Sequence, residues 1–436
     1  MTYNEAIKFL YSLRWFGTKL GLTNTLKLAE LAGNPHHQLR FIHVAGTNGK
    51  GSTCAMLESI YRAAGLRVGL FTSPHLVAFG ERIQVNRQLI SEADVVRLIG
   101  ELKPMLATFS ADEHPTFFEV VTVMALRYFA EQKCDLVLWE TGLGGRLDAT
   151  NIVTPLASVI TNIQYDHQKW LGETLASIAA EKAGIIKSDV PVITATDEPE
   201  ALKVIQETAR AQNSRLTVAE AWETEGLLET LELPLLGAHQ RLNAALAIAT
   251  ARVLAPQIPI NDETIRSGLS QVNWPGRLQL IARPSGQRIL LDGAHNIAGA
   301  QALATSLSQY FANLKPTLIL GILQDKDWEA ISGILAPLAS RILLAPVPSE
   351  RTADPTELCA ACQRANTAIS IRACASLAAA LSETTSEPFL LITGSLYLVG
   401  EALELLQLSP TKHHNERGLN EWNATPTHQS TNPSIH

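Results

Sequence analysis

The stretch RFIHVAGTNGKGST, Arg40 to Thr53, decides the fold. Arg40 to Ala45 is an apolar run of strand length that ends at a glycine turn, and a helical pattern follows from about Ser52 to Ala64. A strand, a glycine-rich turn and a helix in that order suit a phosphate loop. Glycines let backbone N–H groups approach phosphate oxygens, and the start of the helix adds its positive end. In this reading Gly46, Thr47, Asn48, Gly49, Lys50, Gly51 and Ser52 form the loop. Lys50 reaches the terminal phosphates of a nucleotide and the Ser52 hydroxyl binds Mg²⁺. The spacing departs from the usual G-x-x-x-x-G-K-[ST], because the first gap is shorter and a glycine separates the lysine from the serine. An ordinary glycine-rich turn is the alternative.

Outward from this loop the alternation continues. Strands are expected at Arg67–Phe71, Asp135–Trp139, Ala157–Thr161 and Val190–Thr194, and helices at Phe118–Gln132 and Thr174–Ala183. That order implies an α/β fold with a parallel sheet flanked by helices. A Pro-Gly breaker at Pro275–Gly276 precedes a new strand pattern, and the domain boundary is placed near Pro284–Gln287. Beyond it ILLDGAH, TLILGIL, RILLAPV and FLLITGS are strand-like runs separated by helix-length segments, which describes a second, smaller, Rossmann-like α/β domain. The expected division is 1–284, 285–408, and a polar tail over 409–436 that lacks periodicity and reads as disordered, with Lys412 to His414 solvated.

The composition bounds the function. A chain of 436 residues with 46% hydrophobic and 18% charged residues builds two or three packed domains rather than a disordered chain. A net charge of −7 argues against a non-specific nucleic-acid binder. Five cysteines are too few for a disulfide framework, and Cys359-x-x-Cys362, with no second pair and alanines at helical spacing, reads as structural rather than redox-active or zinc-binding. The N-terminus lacks a signal-peptide core and no run has the apolar length of a membrane span, so a soluble, cytoplasmic protein is expected.

A phosphate loop needs a second metal ligand at the end of a neighbouring strand, and Glu140, directly after DLVLW, fits that place. The adjoining GLGGR fails as a dinucleotide fingerprint because Leu147 stands three positions beyond Gly144, so a loop closing on phosphates suits these glycines better. His167, at the end of TNIQYDH, is either a metal ligand or a surface histidine. Lys182, amid apolar neighbours, is either a reactive amine with a depressed pKa or a snorkelling helix lysine.

In combination these motifs are far more specific. The chain resembles the folylpolyglutamate synthase and dihydrofolate synthase family, within the Mur-ligase-like ATP-dependent amide ligases, from about Leu20 to Gly400. The resemblance rests on GTNGKGS (46–52), SPHL (73–76), ER (81–82), FFE (117–119), ETGLGGRLDATN (140–151), TNIQYDH (161–167), LGETLASIAAEKAGIIK (171–187), HQRLNAALA (239–247), WPGR (274–277), DGAHN (292–296) and TGSLYLVG (393–400). It implies a Mur-ligase-like fold and transfer of the ATP γ-phosphate to a pteroate or folate carboxylate. The acyl phosphate is then attacked by the amine of glutamate.

By position, the resemblance assigns ATP phosphates to Gly49–Ser52, adenine to Asn243, phosphate to Arg277 and a nucleotide contact from the second domain to Asp292. It gives magnesium to Ser52, Ser73, Glu140 and His167, and makes Lys182 the family lysine that carries a carbamate (N6-carboxylysine), an anion able to bind or orient magnesium. Lys50, His167 and Lys182 are the expected catalytic set. His295 and Ser395 match positions near the incoming glutamate. The pterin is expected around Thr116, Phe117, Phe118 and Glu119 and around Leu147, Asp148 and Ala149, under a loop formed by Gly21, Leu22, Thr23 and Asn24. Bland readings stand beside these: Phe117 as core, Asp148 as a turn cap, Gly21–Asn24 as a helix start. TFFE and LDAT match the form that binds dihydropteroate, which favours an enzyme acting on both dihydropteroate and reduced folates. A folylpolyglutamate synthase alone, another Mur-type ligase, a P-loop switch and a small-molecule kinase are the alternatives. The expected partners are ATP, L-glutamate, dihydropteroate and reduced folates, acted on by a monomer without nucleic acid or membrane.

Overall fold

The computed structural model describes residues 1–17, 19–220, 231–411 and 416–421. Among them two sheets organise the chain. The first holds β1 (Phe41–Ala45), β2 (Val68–Phe71), β3 (Ile83–Val85), β4 (Gln88–Leu89), β5 (Leu136–Glu140), β6 (Ala157–Ile160), β7 (Val192–Thr194) and β8 (Leu216–Val218). The second holds β9 (Gln279–Ala282), β10 (Arg288–Leu291), β11 (Thr317–Leu320), β12 (Arg341–Leu344), β13 (Ile371–Ala373) and β14 (Phe389–Thr393). The spatial orders are β4-β3-β2-β5-β1-β6-β7-β8 and β13-β12-β11-β14-β10-β9.

All pairings are parallel except β2–β3, β3–β4 and β9–β10. Helices cover both faces of a parallel sheet, so its central strands are apolar throughout, and β1, β5 and β14 are buried along their whole length. One face of the first sheet packs on the helices Tyr3–Leu13, Glu92–Leu106 and Phe117–Glu131. Ile42 and Val44 lie with Met56, Ile60 and Leu246 on the other side, beneath the helices Lys50–Ala63 and Ala238–Leu254.

The strand order puts the site together. β5, β1 and β6 are neighbours, and their carboxyl ends lead into Glu140, the glycine loop and the 161–167 segment. In the second sheet β10, β14 and β11 are likewise adjacent, and their ends lead into Asp292–Asn296, Ser395 and Lys326. Ligands of open α/β sheets gather at such edges.

Two expectations change. The turn at Pro284–Gln287 joins β9 to β10 within the second sheet, with Arg283 N donating to Gln287 O at 2.8 Å, so it is a hairpin and not the passage between domains. Edge strand β9 is only partly buried, which hid its membership of the second sheet. The polar tail is not structureless over 416–421. Arg417–Asn420 form a 3₁₀ turn, and Glu416, Arg417, Leu419 and Asn420 are buried. Composition marks this segment as solvated because its partners are distant in sequence. The Lys412–His414 reading and most of the tail lie outside the described residues. Cys362 is buried in the core of the second domain and Cys359 packs beside it. Among the described residues no helix is long and apolar enough to cross a membrane.

Candidate active site

The glycine loop is held by packing that admits no side chain. At Gly46, φ is +145°, and a Cβ would lie 1.8 Å from Thr161 Oγ1. That hydroxyl donates to Asn48 O at 2.6 Å. Gly49, with φ +86°, caps the helix Lys50–Ala63, and a Cβ there would meet Asn243 Oδ1 at 2.4 Å. Asn243 therefore sits against the loop, its Nδ2 donating to Gln240 Oε1 at 3.0 Å. At Gly51 a Cβ would come within 3.0 Å of Trp274 Nε1. Asn162 braces the loop, accepting at O from Thr47 N and at Oδ1 from Asn48 N, both at 2.8 Å. Ser52 is buried in the first helical turn. Lys50 Nζ donates to its own loop, to Gly46 O at 3.0 Å and Thr47 O at 3.1 Å.

Charged groups converge beside this loop. Burial pushes the Glu140 carboxyl up to about 7 against the pull of Lys50, and Ser73 N donates to its Oε2 at 3.1 Å. Lys182 is buried, and burial followed by the charge of Lys50 brings its amine down to about 7. Its Nζ donates to Gly46 O at 2.8 Å. His167 has φ +52° and precedes the short helix Gln168–Leu171. Burial holds its imidazole down to about 3, so the ring is neutral and keeps a lone pair for a metal. Its Nε2 is 3.8 Å from Asp166 Oδ1. Among the described residues no three His, Cys, Asp or Glu side chains converge as a metal cluster. A magnesium ion here would draw instead on hydroxyl and phosphate oxygens, which suit a hard cation. The fit is good on one observation: Glu140 is a buried carboxylate whose one hydrogen-bond donor among the described residues is a backbone N–H, and a divalent cation would restore its charged form.

A cavity opens alongside. Ser73, Arg82, Thr116–Glu119, Gly142, Leu143, Leu147–Ala149 and Leu20 line it, together with Arg14, Lys19 and residues 419–421. The Arg82 guanidinium lies 5.4 Å from the Phe117 ring centroid, and Phe118 packs against Gly142, where a Cβ would be 2.5 Å from the ring. Thr116 and Glu119 form a capping box, with Thr116 N donating to Glu119 Oε2 at 2.7 Å. The Asp148 carboxylate is fully engaged. Gly142 N and Leu143 N donate to Oδ2 at 3.0 and 2.7 Å; Thr150 N, at 3.0 Å, and the Thr150 hydroxyl donate to Oδ1. It caps a turn, as its bland reading had it, and shapes the glycine loop after β5. Gly21 N donates to Leu147 O at 3.2 Å, whereas Thr23 and Asn24 begin the helix Thr23–Leu31 and Leu22 precedes it. Leu22, Thr23 and Asn24 do not line this cavity, so the helix-start reading describes them.

The second domain supplies the remaining positions. Asp292 accepts from Leu278 N and Ala294 N, both at 2.9 Å, and its charge opposes the lowering that burial imposes on Arg277. A Cβ at Gly293 would lie 2.6 Å from Arg277 Nη1, so glycine there lets the guanidinium lie flat. His295 Nε2 is 3.8 Å from Asp166 Oδ2, and burial holds its imidazole down to about 4. Ser395 caps the helix Leu396–Leu405, accepting from Tyr397 N at 3.2 Å.

Comparison with known proteins agrees with this arrangement. The Mur ligase middle domain matches residues 44–251, and the Mur ligase glutamate ligase domain matches residues 276–396. The dihydrofolate synthase/folylpolyglutamate synthase of Bacillus subtilis is 38% identical over 428 residues, covering 93% of this chain and 99% of its own. The chain belongs to that family. This ligase is also 35% identical to the Escherichia coli dihydrofolate synthase/folylpolyglutamate synthase over 83% of the chain and 86% of the relative. Among solved structures, the Thermotoga maritima folylpolyglutamate synthase has a TM-score of 0.81 at 35% identity, covering 95% of this chain and 98% of its own. The Escherichia coli enzyme in complex with DHPP and ADP has a TM-score of 0.81 at 30% identity, over 93% and 98%. Membership makes the chain an ATP-dependent ligase with a Mur-ligase-like α/β fold.

Several residues of this ligase's site escaped the sequence reading. Asp166 accepts from Lys326 Nζ at 2.7 Å and from Asn296 Nδ2 at 3.0 Å, and against the raising effect of burial the Lys326 charge, the largest of the lowering influences, holds its carboxyl well below the usual range. Asn296 and Asn48 exchange amide hydrogen bonds of 3.0 and 3.3 Å, joining the second domain to the phosphate loop. Glu81 accepts from Leu76, Val77 and Ala78 N at 2.7, 2.9 and 2.8 Å and so fixes the chain that follows Ser73. An acid beside His167 and a lysine after a strand-like run were the available signals for Asp166 and Lys326. Neither says that the two meet.

Proposed function

We propose that this ligase adds L-glutamate to 7,8-dihydropteroate and to tetrahydrofolates, converting ATP to ADP and phosphate. One observation carries the reading: Ser73 belongs to both halves of the site. Its N–H holds Glu140 beside the phosphate loop, and Ser73 itself lines the cavity with Phe117, Phe118, Leu143 and Leu147. A flat aromatic acid seated in that cavity presents its carboxylate to the loop.

A carboxylate is a poor electrophile. Its oxygen attacks the γ-phosphorus, the bond to the ADP oxygen breaks, and an acyl phosphate forms. The amine of glutamate then attacks the acyl carbon, the C–O bond to phosphate breaks, and the nitrogen loses a proton as the amide forms. The loop 46–52 cradles the phosphates, and Lys50 leaves its own carbonyl partners to meet the γ-phosphate. Asn243 faces the adenine side, while Arg277 and Asp292 close on the nucleotide from the second domain. Ser52, Ser73, Glu140 and His167 would hold Mg²⁺, which when bound offsets phosphate charge. Lys182, whose ammonium pKa is brought down to about 7, supports a carbamate: the ammonium gives up one proton, the free amine attacks CO₂ and loses a second, and a cation becomes an anion. Thr116–Glu119 and Leu147–Ala149 receive the pterin-bearing acid, and His295 and Ser395 stand on the side of the incoming glutamate. Docking of the second domain excludes water from the acyl phosphate. One chain supplies every residue of this site, which supports a monomer acting on small molecules, and the proposed substrates favour a cytoplasmic enzyme.

Phosphate release with Mg-ATP and L-glutamate, compared with dihydropteroate, with tetrahydrofolate and without acid, tests the reading. Release with both acids, with glutamylated products in mass spectrometry, is expected. Release with tetrahydrofolate alone reduces the activity to folylpolyglutamate synthesis, and release with neither overturns it.

A further inference from the structure

The segment Glu416–Glu421 returns from the second domain and lies across the first. The Glu416 carbonyl meets His75 Nε2 at 3.0 Å, and its carboxylate accepts from Phe79 N at 2.6 Å. Asn420 Nδ2 donates to His75 O at 2.9 Å, and its Oδ1 accepts from the Arg82 guanidinium that overlies Phe117. Leu419, Asn420 and Glu421 thereby line the same cavity as Phe117 and Ser73.

Glu421 is the unusual member. Its side chain is 7% exposed and its Oε2 pairs with Arg351 Nε at 2.8 Å, which lets the charge stay buried. Its Oε1 is buried with no hydrogen-bond partner among the described residues. A buried acceptor left empty is costly, and in a residue that lines a substrate cavity it is satisfied when the substrate brings a donor. Asp148, the other carboxylate on this wall, already has four donors from its own chain. A pterin-bearing acid carries N–H groups on its ring system and its aminobenzoyl part, whereas its own carboxylates would be repelled by Glu421.

We propose, resting on the ligase reading above, that the 416–421 segment is a wall of the acid-substrate site and that Glu421 accepts a hydrogen bond from an N–H of that substrate. Glu421 is then a specificity-determining residue that orients the acid with its carboxylate away from this wall.

The test is steady-state kinetics of the full chain with Glu421→Ala and Glu421→Gln, varying dihydropteroate, ATP and L-glutamate in turn, with thermal melting of each variant. Loss of a hydrogen bond to a charged group predicts a rise of roughly tenfold or more in KM for dihydropteroate in Glu421→Ala. A smaller rise is expected in Glu421→Gln, which keeps an oxygen acceptor. Turnover at saturation and the KM for ATP should stay close to wild type. An unchanged KM for dihydropteroate overturns the proposal. A rise confined to L-glutamate overturns it too and gives Glu421 to the amine. Equal losses for all three substrates with a lowered melting temperature would make the segment a structural brace only. A wild-type chain that turns over no pterin-bearing acid removes the ligase reading itself, an outcome distinct from these.

Discussion

Lys182 and Lys50 share one acceptor: both ammonium nitrogens lie within hydrogen-bond distance of Gly46 O, at 2.8 and 3.0 Å. Two cations at one carbonyl repel, and the more deeply buried amine gives up its proton more readily. Lys182→Ala should therefore lose turnover by about 100-fold or more while calorimetric ATP affinity changes little. Added acetate or formate should restore part of the activity. CO₂ reacts with the free amine, whose fraction grows as pH rises through about 7. At equal dissolved CO₂, CO₂-depleted enzyme should thus reactivate faster at pH 8 than at pH 6. Equal turnover of mutant and wild type would remove the carbamate.

Glu140 makes stability depend on metal and on pH. Its carboxyl is raised from 4.5 to about 7 in the folded chain, so between those values the folded state holds a proton that the unfolded state has released. Its stabilising contribution is complete below pH 4.5 and is lost as pH rises through 7. Without metal, Glu140→Gln should be more stable than wild type at pH 8, by about 1–3 kcal/mol, and the gap should close toward pH 4.5. Mg²⁺ should raise the melting temperature of the wild type and not of the variant. Melting curves in chelator and in Mg²⁺ at pH 5 and 8 read both effects.

The Asp166–Lys326 pair spans the two domains, and both side chains are only 10% exposed. Lys326→Met leaves the carboxylate with Asn296 as its cross-domain donor, so denaturation should show a loss of about 2–4 kcal/mol. Activity should fall with it, because the same contact sets the second domain over the phosphate loop. A surface pair would cost less than 1 kcal/mol, and a loss that small would show that the interface is set elsewhere.

Gly49→Ala should raise the KM for ATP by roughly tenfold or more, for two separable reasons. The new Cβ meets Asn243 Oδ1 at 2.4 Å, and φ of +86° disfavours any side chain. Adding Asn243→Ala relieves the contact and leaves the backbone strain of about 1–2 kcal/mol, so the double variant should melt above the single one. If the two variants melt alike, the contact is harmless.

Much of this architecture was legible because parallel strands write themselves plainly. FIHVA, DLVLW and ASVIT are continuous apolar runs, buried on both faces, and each ends where a functional residue begins. The loop 46–52, Glu140 and Lys182 were found for the same reason: each follows or faces such a run. Strand β9 was assigned to the wrong side of the boundary because half its residues face solvent. Asp166, Lys326 and Glu421 stayed hidden because their character depends on a partner 70 or 160 residues away, which no local pattern records. Asp148 was placed at the cavity it does line, but the sequence did not reveal that its oxygens are engaged by backbone N–H groups and the Thr150 hydroxyl.

The hydrogen bond from the Tyr3 hydroxyl to Glu416 Oε2, at 3.2 Å, joins residues 413 apart. In a nascent chain Tyr3 is made 413 residues before Glu416. The helix Tyr3–Leu13 can pack on its own sheet during synthesis, but it cannot gain this partner until Glu416 has left the ribosome. This wall of the cavity is consequently assembled only after both domains have been made, and a chain interrupted before residue 416 would carry a phosphate loop with no finished seat for the acid it is meant to activate.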